Sequence, residues 1–184
     1  MDSRHLPSKD PVTKAAGPYG HPLHPLLVTV PIGTWIGSLI LDIASKVSND
    51  PNPYVQSARW LIGIGIVGAL LAALFGLMDL ATIPSGTPAK RTAYTHMTLN
   101  LLVTAAFIVS WFIRGDGGIE ADGSTSTELL ILSVVALLVL TVSGFLGGMM
   151  TYRYGVRVAR ESDQADGYED ARTGNDRTNH RRAA

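Results

Sequence analysis

The chain has 184 residues, 46% of them hydrophobic and 16% charged, against about 25% charged in an ordinary soluble domain. Mean hydropathy is +0.21, and fifteen basic residues balance fifteen acidic ones, so no global field points to nucleic acid. With no cysteine in the sequence, disulfides, thiolate metal sites, cysteine nucleophiles and Cys-x-x-Cys-His haem attachment are excluded.

Residues 1–20 are polar and turn-rich. Beyond them, Asp, Glu, Lys and Arg are missing from 15–41, 60–78, 92–113 and 129–152, stretches of 27, 19, 22 and 24 residues. A helix crosses the hydrocarbon layer in about 20 residues. These stretches lack both the alternation of barrel strands and the polar faces of soluble bundle helices. They predict an all-α, integral membrane four-helix bundle in up-down-up-down order with disordered N- and C-terminal tails. The membrane domain is expected over 21–158.

The first span, near 25–46, opens with "HPLHPLLVTVPIG" at 21–33. Pro25 suits the first helical position and makes His24 an approximate N-cap, while Pro31 removes one helical hydrogen bond and predicts a kink. Because this run starts late, carries Asp42 and lacks a small-residue cleavage site, it reads as a span rather than a signal peptide. Asp42 is expected to pair with Lys46, four residues on; a role in a proton path is the alternative.

The second span, near 59–82, carries small stripes at Gly65, Ala69 and Ala73 and at Gly68, Ala72 and Gly76. "PSGTPAKR" at 84–91 reads as a turn, the third span follows near 94–113, and "RGDGGIEADGSTSTE" at 114–128 as a loop. The fourth span lies near 128–151, and 159–184 reads as a disordered charged tail. Gly33 with Gly37, and Gly144 with Gly148, form G-x-x-x-G pairs. Like the stripes, they are expected to serve helix packing. Trp35, Trp60 and Trp111 read as packing or interface anchors. No long repeat is visible.

Twelve basic residues fall on the side of the termini and the 84–91 turn, and three (Lys46, Arg59 and Arg114) on the other. The positive-inside rule then places both termini in the cytoplasm.

The same face gathers polar groups. His21 and His24 enter the first span, Asp79 closes the second, His96 and Asn100 stand one helical turn apart in the third, and Met149 ends the fourth. His24, His96, His21, Asp79, Asn100 and Met149 are therefore candidate cofactor-binding residues, and His21, His24, His96 and Asp79 candidate metal ligands. Haem b or a divalent metal are the cofactors such groups suit. On the competing reading the histidines only cap helices and Asp79 pairs with Arg91 or His96. No P-loop, nucleophile-elbow or H-E-x-x-H motif occurs, and no catalytic residue is assigned.

"HPLHPLLVTVPIG" with Asp42, "FGLMDL" at 75–80, "HMTLN" at 96–100 and "GFLGGMMTYRYGVRV" at 144–158 together resemble the DUF2231 family of bacterial membrane proteins. The resemblance covers about residues 20–158 and implies a four-helix domain of the cytoplasmic (inner) membrane. Relatives fused to Rieske or cytochrome domains imply redox work. Such relatives often read "GGHLVY" where this chain has "GGMMTY", which puts Met149 at a histidine position and leaves methionine as the alternative haem ligand there. Because the chain carries no Rieske-like cysteine/histidine pair, the implied electron partner is a separate iron–sulfur or cytochrome protein.

The expected function is a non-enzymatic, redox-associated membrane module binding haem or metal through His24 and His96. The alternatives are a structural or accessory subunit without cofactor, and proton or small-solute transport. Expected partners are the lipid bilayer and that electron-transfer protein, with a homo-oligomer left open.

Overall fold

The computed structural model describes residues 3–14, 17, 21–166 and 168. Most of the expected C-terminal tail, 167 and 169–184, lies outside the described residues, as do 1, 2, 15, 16 and 18–20. Ser3–Ser8 forms a short 3-10 helix. Six α-helices follow: α1 (Leu23–Leu27), α2 (Thr29–Val47), α3 (Asn52–Thr82), α4 (Pro88–Asp116), α5 (Thr127–Tyr152) and the short α6 (Glu161–Asp166).

Four helical segments are long and apolar enough to cross a membrane: Leu23–Val47 (α1 with α2), Asn52–Thr82, Pro88–Gly115 and Thr127–Tyr152. Their side chains are sorted for lipid. Leu26, Ile40, Trp60, Leu74, Phe112, Leu138 and Phe145 point outward, while Ser38, Ser110, Ser133 and Ser143 are fully buried between helices. An aqueous protein would reverse that sorting, since apolar surface is what water expels. The core joins all four spans through Trp35, Ile62, Val103, Phe107 and Ala136.

The first span breaks where proline chemistry requires it. Pro31 has no N–H for the carbonyl of Leu27, and its ring crowds that carbonyl; the helix accordingly interrupts at Val28, between α1 and α2. The expected N-cap is corrected. Pro22 caps α1, so His24 lies inside the first turn with its ring free to reach a neighbouring helix. The third span starts earlier than expected because Thr87 caps it, its hydroxyl accepting from the Lys90 N–H at 3.2 Å, with Pro88 in the first turn.

The first span packs on the second and fourth, and the third does likewise. First and third are therefore diagonal, and they meet through side chains at three depths. His24 faces His96, Trp35 stacks on Phe107 with ring centres 4.3 Å apart, and Asp42 pairs with Arg114. Asp42 and Arg114 are 72 residues apart, and so are the other two pairs.

That constant offset reveals a repeat that the sequence reading missed. The series His24, Trp35, Ser38, Asp42 recurs at the same spacing as His96, Phe107, Ser110, Arg114. In the second and fourth spans the buried positions Ala58, Ile62, Gly65 and Ala72 match Leu129, Ser133, Ala136 and Ser143, each pair 71 apart. Two helical hairpins, spans one–two and three–four, thus pack about a pseudo-twofold axis running along the bundle. Identical residues are too few to show as a repeat: among these pairs only His24 with His96 and Ser38 with Ser110 are the same residue, and what recurs is the spacing of the buried positions.

Only part of the small-residue pattern packs. A Cβ at Gly65 would overlap the Trp35 indole and one at Gly68 would meet Val30, but Gly33, Gly144 and Gly148 have nothing within 4 Å of an added Cβ. Those three do not serve close packing within the chain.

Candidate functional site

His24 and His96 stand on opposite sides of the pseudo-twofold axis, ring centres 6.3 Å apart and planes at 83°. Each reaches across to the second helix of its own hairpin. His24 Nδ1 lies 2.8 Å from the carbonyl oxygen of Ala72, and His96 Nδ1 lies 2.8 Å from that of Ser143. A carbonyl only accepts, so both Nδ1 atoms carry the proton and the lone pair is left on each Nε2. The residue one turn further along that helix is glycine in both hairpins. A Cβ at Gly76 would come within 3.0 Å of the His24 ring, and one at Gly147 within 3.1 Å of the His96 ring. The imidazoles lie flush on bare backbone.

Asn100 sits beside His96. Its Nδ2 has three acceptors in reach: Ser143 Oγ at 2.8 Å, the His96 carbonyl at 2.9 Å and His96 Nε2 at 3.1 Å. An amide has two N–H bonds. The longest contact is therefore surplus, and His96 Nε2 can take another partner without leaving Asn100 unsatisfied.

Asp79 is buried at the end of α3, and its partner corrects the expectation. Neither Arg91 nor His96 pairs with it; Arg157 does, with Nε 3.1 Å from Oδ1. Arg157, beyond α5, was not among the residues singled out from sequence. Met149 sits in the last turn of α5, two residues after Gly147, where its carbonyl accepts from the backbone of Arg153 and Tyr154. Its counterpart in the first hairpin is Met78, two residues after Gly76. His21 stands apart, on the wall of a surface cleft.

Asp42 marks the other end of the bundle, and its expected pairing with Lys46 is also corrected. Arg114, inside α4 rather than in the loop, holds the carboxylate in a fork: Nη1 donates to Oδ1 at 2.8 Å and Nη2 to Oδ2 at 2.6 Å. The Thr125 hydroxyl adds a 2.8 Å bond to Oδ1. Lys46 turns outward to Glu120 at 3.2 Å. Position explains the difference. Asp42 points to the axis and Lys46 to the loop, and a fork matches a carboxylate better than a point charge does.

Among the described residues, no three His, Cys, Asp or Glu side chains converge to hold a metal ion. A bare divalent ion needs four or more protein or water ligands, which the paired histidines do not supply. A haem iron brings four equatorial nitrogens and asks the protein for two axial ligands. Two imidazoles each about 2 Å from one metal have ring centres roughly 6 Å apart. In number of donors and in ring-centre distance, the pair matches what haem iron asks of a protein more closely than what a naked ion asks.

Four spans with apolar residues outward and a small polar interior define an α-helical membrane protein, with two histidine rings facing each other across its axis. The chain belongs to the family described as "Predicted membrane protein (DUF2231)", which it matches over residues 20–160. No curated protein and no solved structure matches it.

Proposed function

We propose that this protein is a redox-associated membrane module whose two hairpins present His24 and His96 as the residues that would hold a haem. The observation that carries this reading is the pair of Nδ1–H bonds to the Ala72 and Ser143 carbonyls. A ligating histidine almost always donates its other ring N–H in this way, which fixes tautomer and ring angle and raises ligand basicity. Gly76 and Gly147 let the rings lie against backbone, and Asn100 can release His96 Nε2 while keeping two acceptors. A haem held there would supply one-electron transfer. The protein's own part is to hold two lone pairs on the axis, with the electron partner a separate iron–sulfur or cytochrome protein in a bacterial inner membrane.

A second reading rests on the same bonds. Each histidine ties the first helix of its hairpin to the second, so the pair also suits a cofactor-free accessory subunit. Axial transport is less favoured, because the Trp35–Phe107 stack and the Asp42–Arg114 pair both lie across the axis.

Absorption spectroscopy separates the readings. Protein produced with ample haem should show a Soret band that His24→Ala or His96→Ala abolishes or shifts. A colourless wild type under those conditions would leave the accessory reading. Both termini are proposed to be cytoplasmic, so reporters after Arg160 and at Gly118 should report opposite sides, the former inside. The reverse assignment would overturn the orientation.

A further inference from the structure

Three basic residues lie on the side of the bundle opposite the termini, and two of them are engaged inside the protein. Lys46 pairs with Glu120 and Arg114 with Asp42. Arg59 pairs with no carboxylate among the described residues. It is stacked instead. Its Cζ lies 4.8 Å from the centre of the Trp111 ring, a cation–π contact that joins α3 to α4.

Two glycines make the stack possible. A Cβ at Gly115 would come within 2.7 Å of Arg59 Nη2, and one at Gly63 within 3.0 Å of Trp111 Nε1. Arg59 and Gly63 stand one helical turn apart on α3, as Trp111 and Gly115 do on α4. Each large side chain thus lies over the glycine of the facing helix. The equivalent groove, between the first and fourth spans, is filled differently. By the offsets of 71 and 72 residues, Arg59, Gly63, Trp111 and Gly115 correspond to Leu130, Val134, Leu39 and Ile43. Aliphatic side chains therefore suffice for packing at these positions. The arginine also carries a local cost, because its Nε is buried without a hydrogen-bond partner. Packing does not account for a cation here.

The outer edge of the guanidinium is free. Arg59 is half-buried, and of its nitrogens only Nε is enclosed without a partner. Nη1 and Nη2 make no hydrogen bond among the described residues and keep open surface. Depth identifies what they meet. α3 has 31 residues, about 46 Å of helix, whereas the hydrocarbon layer is about 30 Å thick. Its uncharged stretch, 60–78, fills that layer and leaves Arg59 at the boundary, where lipid phosphates lie. The next residues along the two helices, Trp60 and Phe112, are 74% and 61% exposed, as side chains of an interface belt are.

A phosphodiester offers two non-bridging oxygens at the spacing of an arginine fork. We propose that the groove between α3 and α4 binds one phospholipid of the leaflet on the Asp42 side, with its phosphate on Arg59 and its chains along Trp60 and Phe112. Those exposed apolar flanks make the ligand a lipid rather than a dissolved anion. Trp111 and Gly115 position the guanidinium. The site lies at the opposite end of the bundle from His24 and His96, and the proposal stands independently of the haem reading.

The test uses the full chain in detergent, with native mass spectrometry counting lipid on the folded species. Phosphatidylglycerol is compared with monogalactosyl diacylglycerol of the same chains, which carries no phosphate. The wild type should bind its first phosphatidylglycerol about tenfold more tightly than the galactolipid, as hydrogen bonds to a charged group supply, and Arg59→Gln should bring the two within about twofold. Arg59→Leu, which copies the equivalent Leu130, should lose the preference equally while its unfolding midpoint holds or rises, a combination that a packing role for the cation would not give. A preference retained in either variant overturns the proposal, as does a wild type without one. Excess inorganic phosphate should leave the bound lipid in place; displacement by it would make this a dissolved-anion site and overturn the lipid assignment.

Discussion

Asp42 and Arg114 meet across the bundle axis as a fully buried, two-pronged ion pair, at positions that the pseudo-twofold makes equivalent. Two identical hairpins would bring like side chains together there. Opposite charges at the two equivalent positions turn a repulsive position into a clasp, extended by Thr125 Oγ1 to Asp42, by Arg114 Nε to Ser110 at 3.2 Å and by the Thr125 N–H to Ser45 at 3.2 Å.

Breaking the clasp should cost more than removing it. Arg114→Leu strands a buried carboxylate, at about 3–5 kcal/mol, whereas replacing a buried pair by apolar groups of similar volume is often neutral or stabilising. Thermal unfolding in detergent should rank Arg114→Leu well below wild type and the double variant Asp42→Leu, Arg114→Met above the single. Equal loss in single and double variants would show that the pair is not energetically coupled.

The four spans were legible because lipid demands long uncharged helices, a constraint that composition alone reveals. The candidate site was legible in part. His24, His96, Asn100 and Asp79 could be placed on one face by counting residues, whereas the diagonal meeting of His24 and His96 came from how the helices pack. Partner choice was not legible, because it depends on which way a side chain leaves its helix. Asp42 chose Arg114 over Lys46, and Asp79 chose Arg157 over Arg91 or His96. A scan for matched spacing of His, aromatic, Ser and a charge would have found the repeat and, with it, Arg114 opposite Asp42.

The glycines test which stripes pack. Gly65→Ala forces a methyl into the Trp35 indole and Thr34 hydroxyl, and such overpacking costs about 1–3 kcal/mol. Gly148→Ala meets open space and should be neutral or gain up to about 1 kcal/mol from helix propensity. Unfolding midpoints of the two variants should move in opposite directions, or at least differ clearly. A large loss at Gly148 would reveal a contact with another chain.

Glu120, in the exposed loop between α4 and α5, accepts hydrogen bonds from Lys46 Nζ and from the N–H and hydroxyl of Thr127. The Lys46 bond first, then the Thr127 N–H, holds its carboxyl below the ordinary 4.5. A depressed folded value means that the loop contacts are stabilised above the unfolded pKa and lose that support as pH falls through the folded one. Carboxyl-carbon NMR should place the Glu120 midpoint below 4.5, with Lys46→Met raising it and Thr127→Val raising it less. A midpoint indifferent to Lys46 would remove the ion pair as its cause.

Gly76 and Gly147 offer the most direct test of the paired site, because the pseudo-twofold requires them to act alike. Each lies against an imidazole, with an added Cβ at 3.0 Å from the His24 ring or 3.1 Å from the His96 ring. Alanine at either position asks the ring to give by a few tenths of an ångström, but a branched side chain must push it off its carbonyl. Gly76→Val should break the His24–Ala72 bond and Gly147→Val the His96–Ser143 bond, each at about 1–3 kcal/mol from overpacking and each releasing the fixed tautomer. In haem-loaded protein the two variants should weaken or shift the Soret band to a similar degree, and Gly148→Val, next door to Gly147 but with open space at its Cβ, should leave it alone. A band lost in Gly147→Val but intact in Gly76→Val would mean that His96 holds the haem without His24. Matched loss at both, with the neighbour silent, is what two equivalent hairpins sharing one site require.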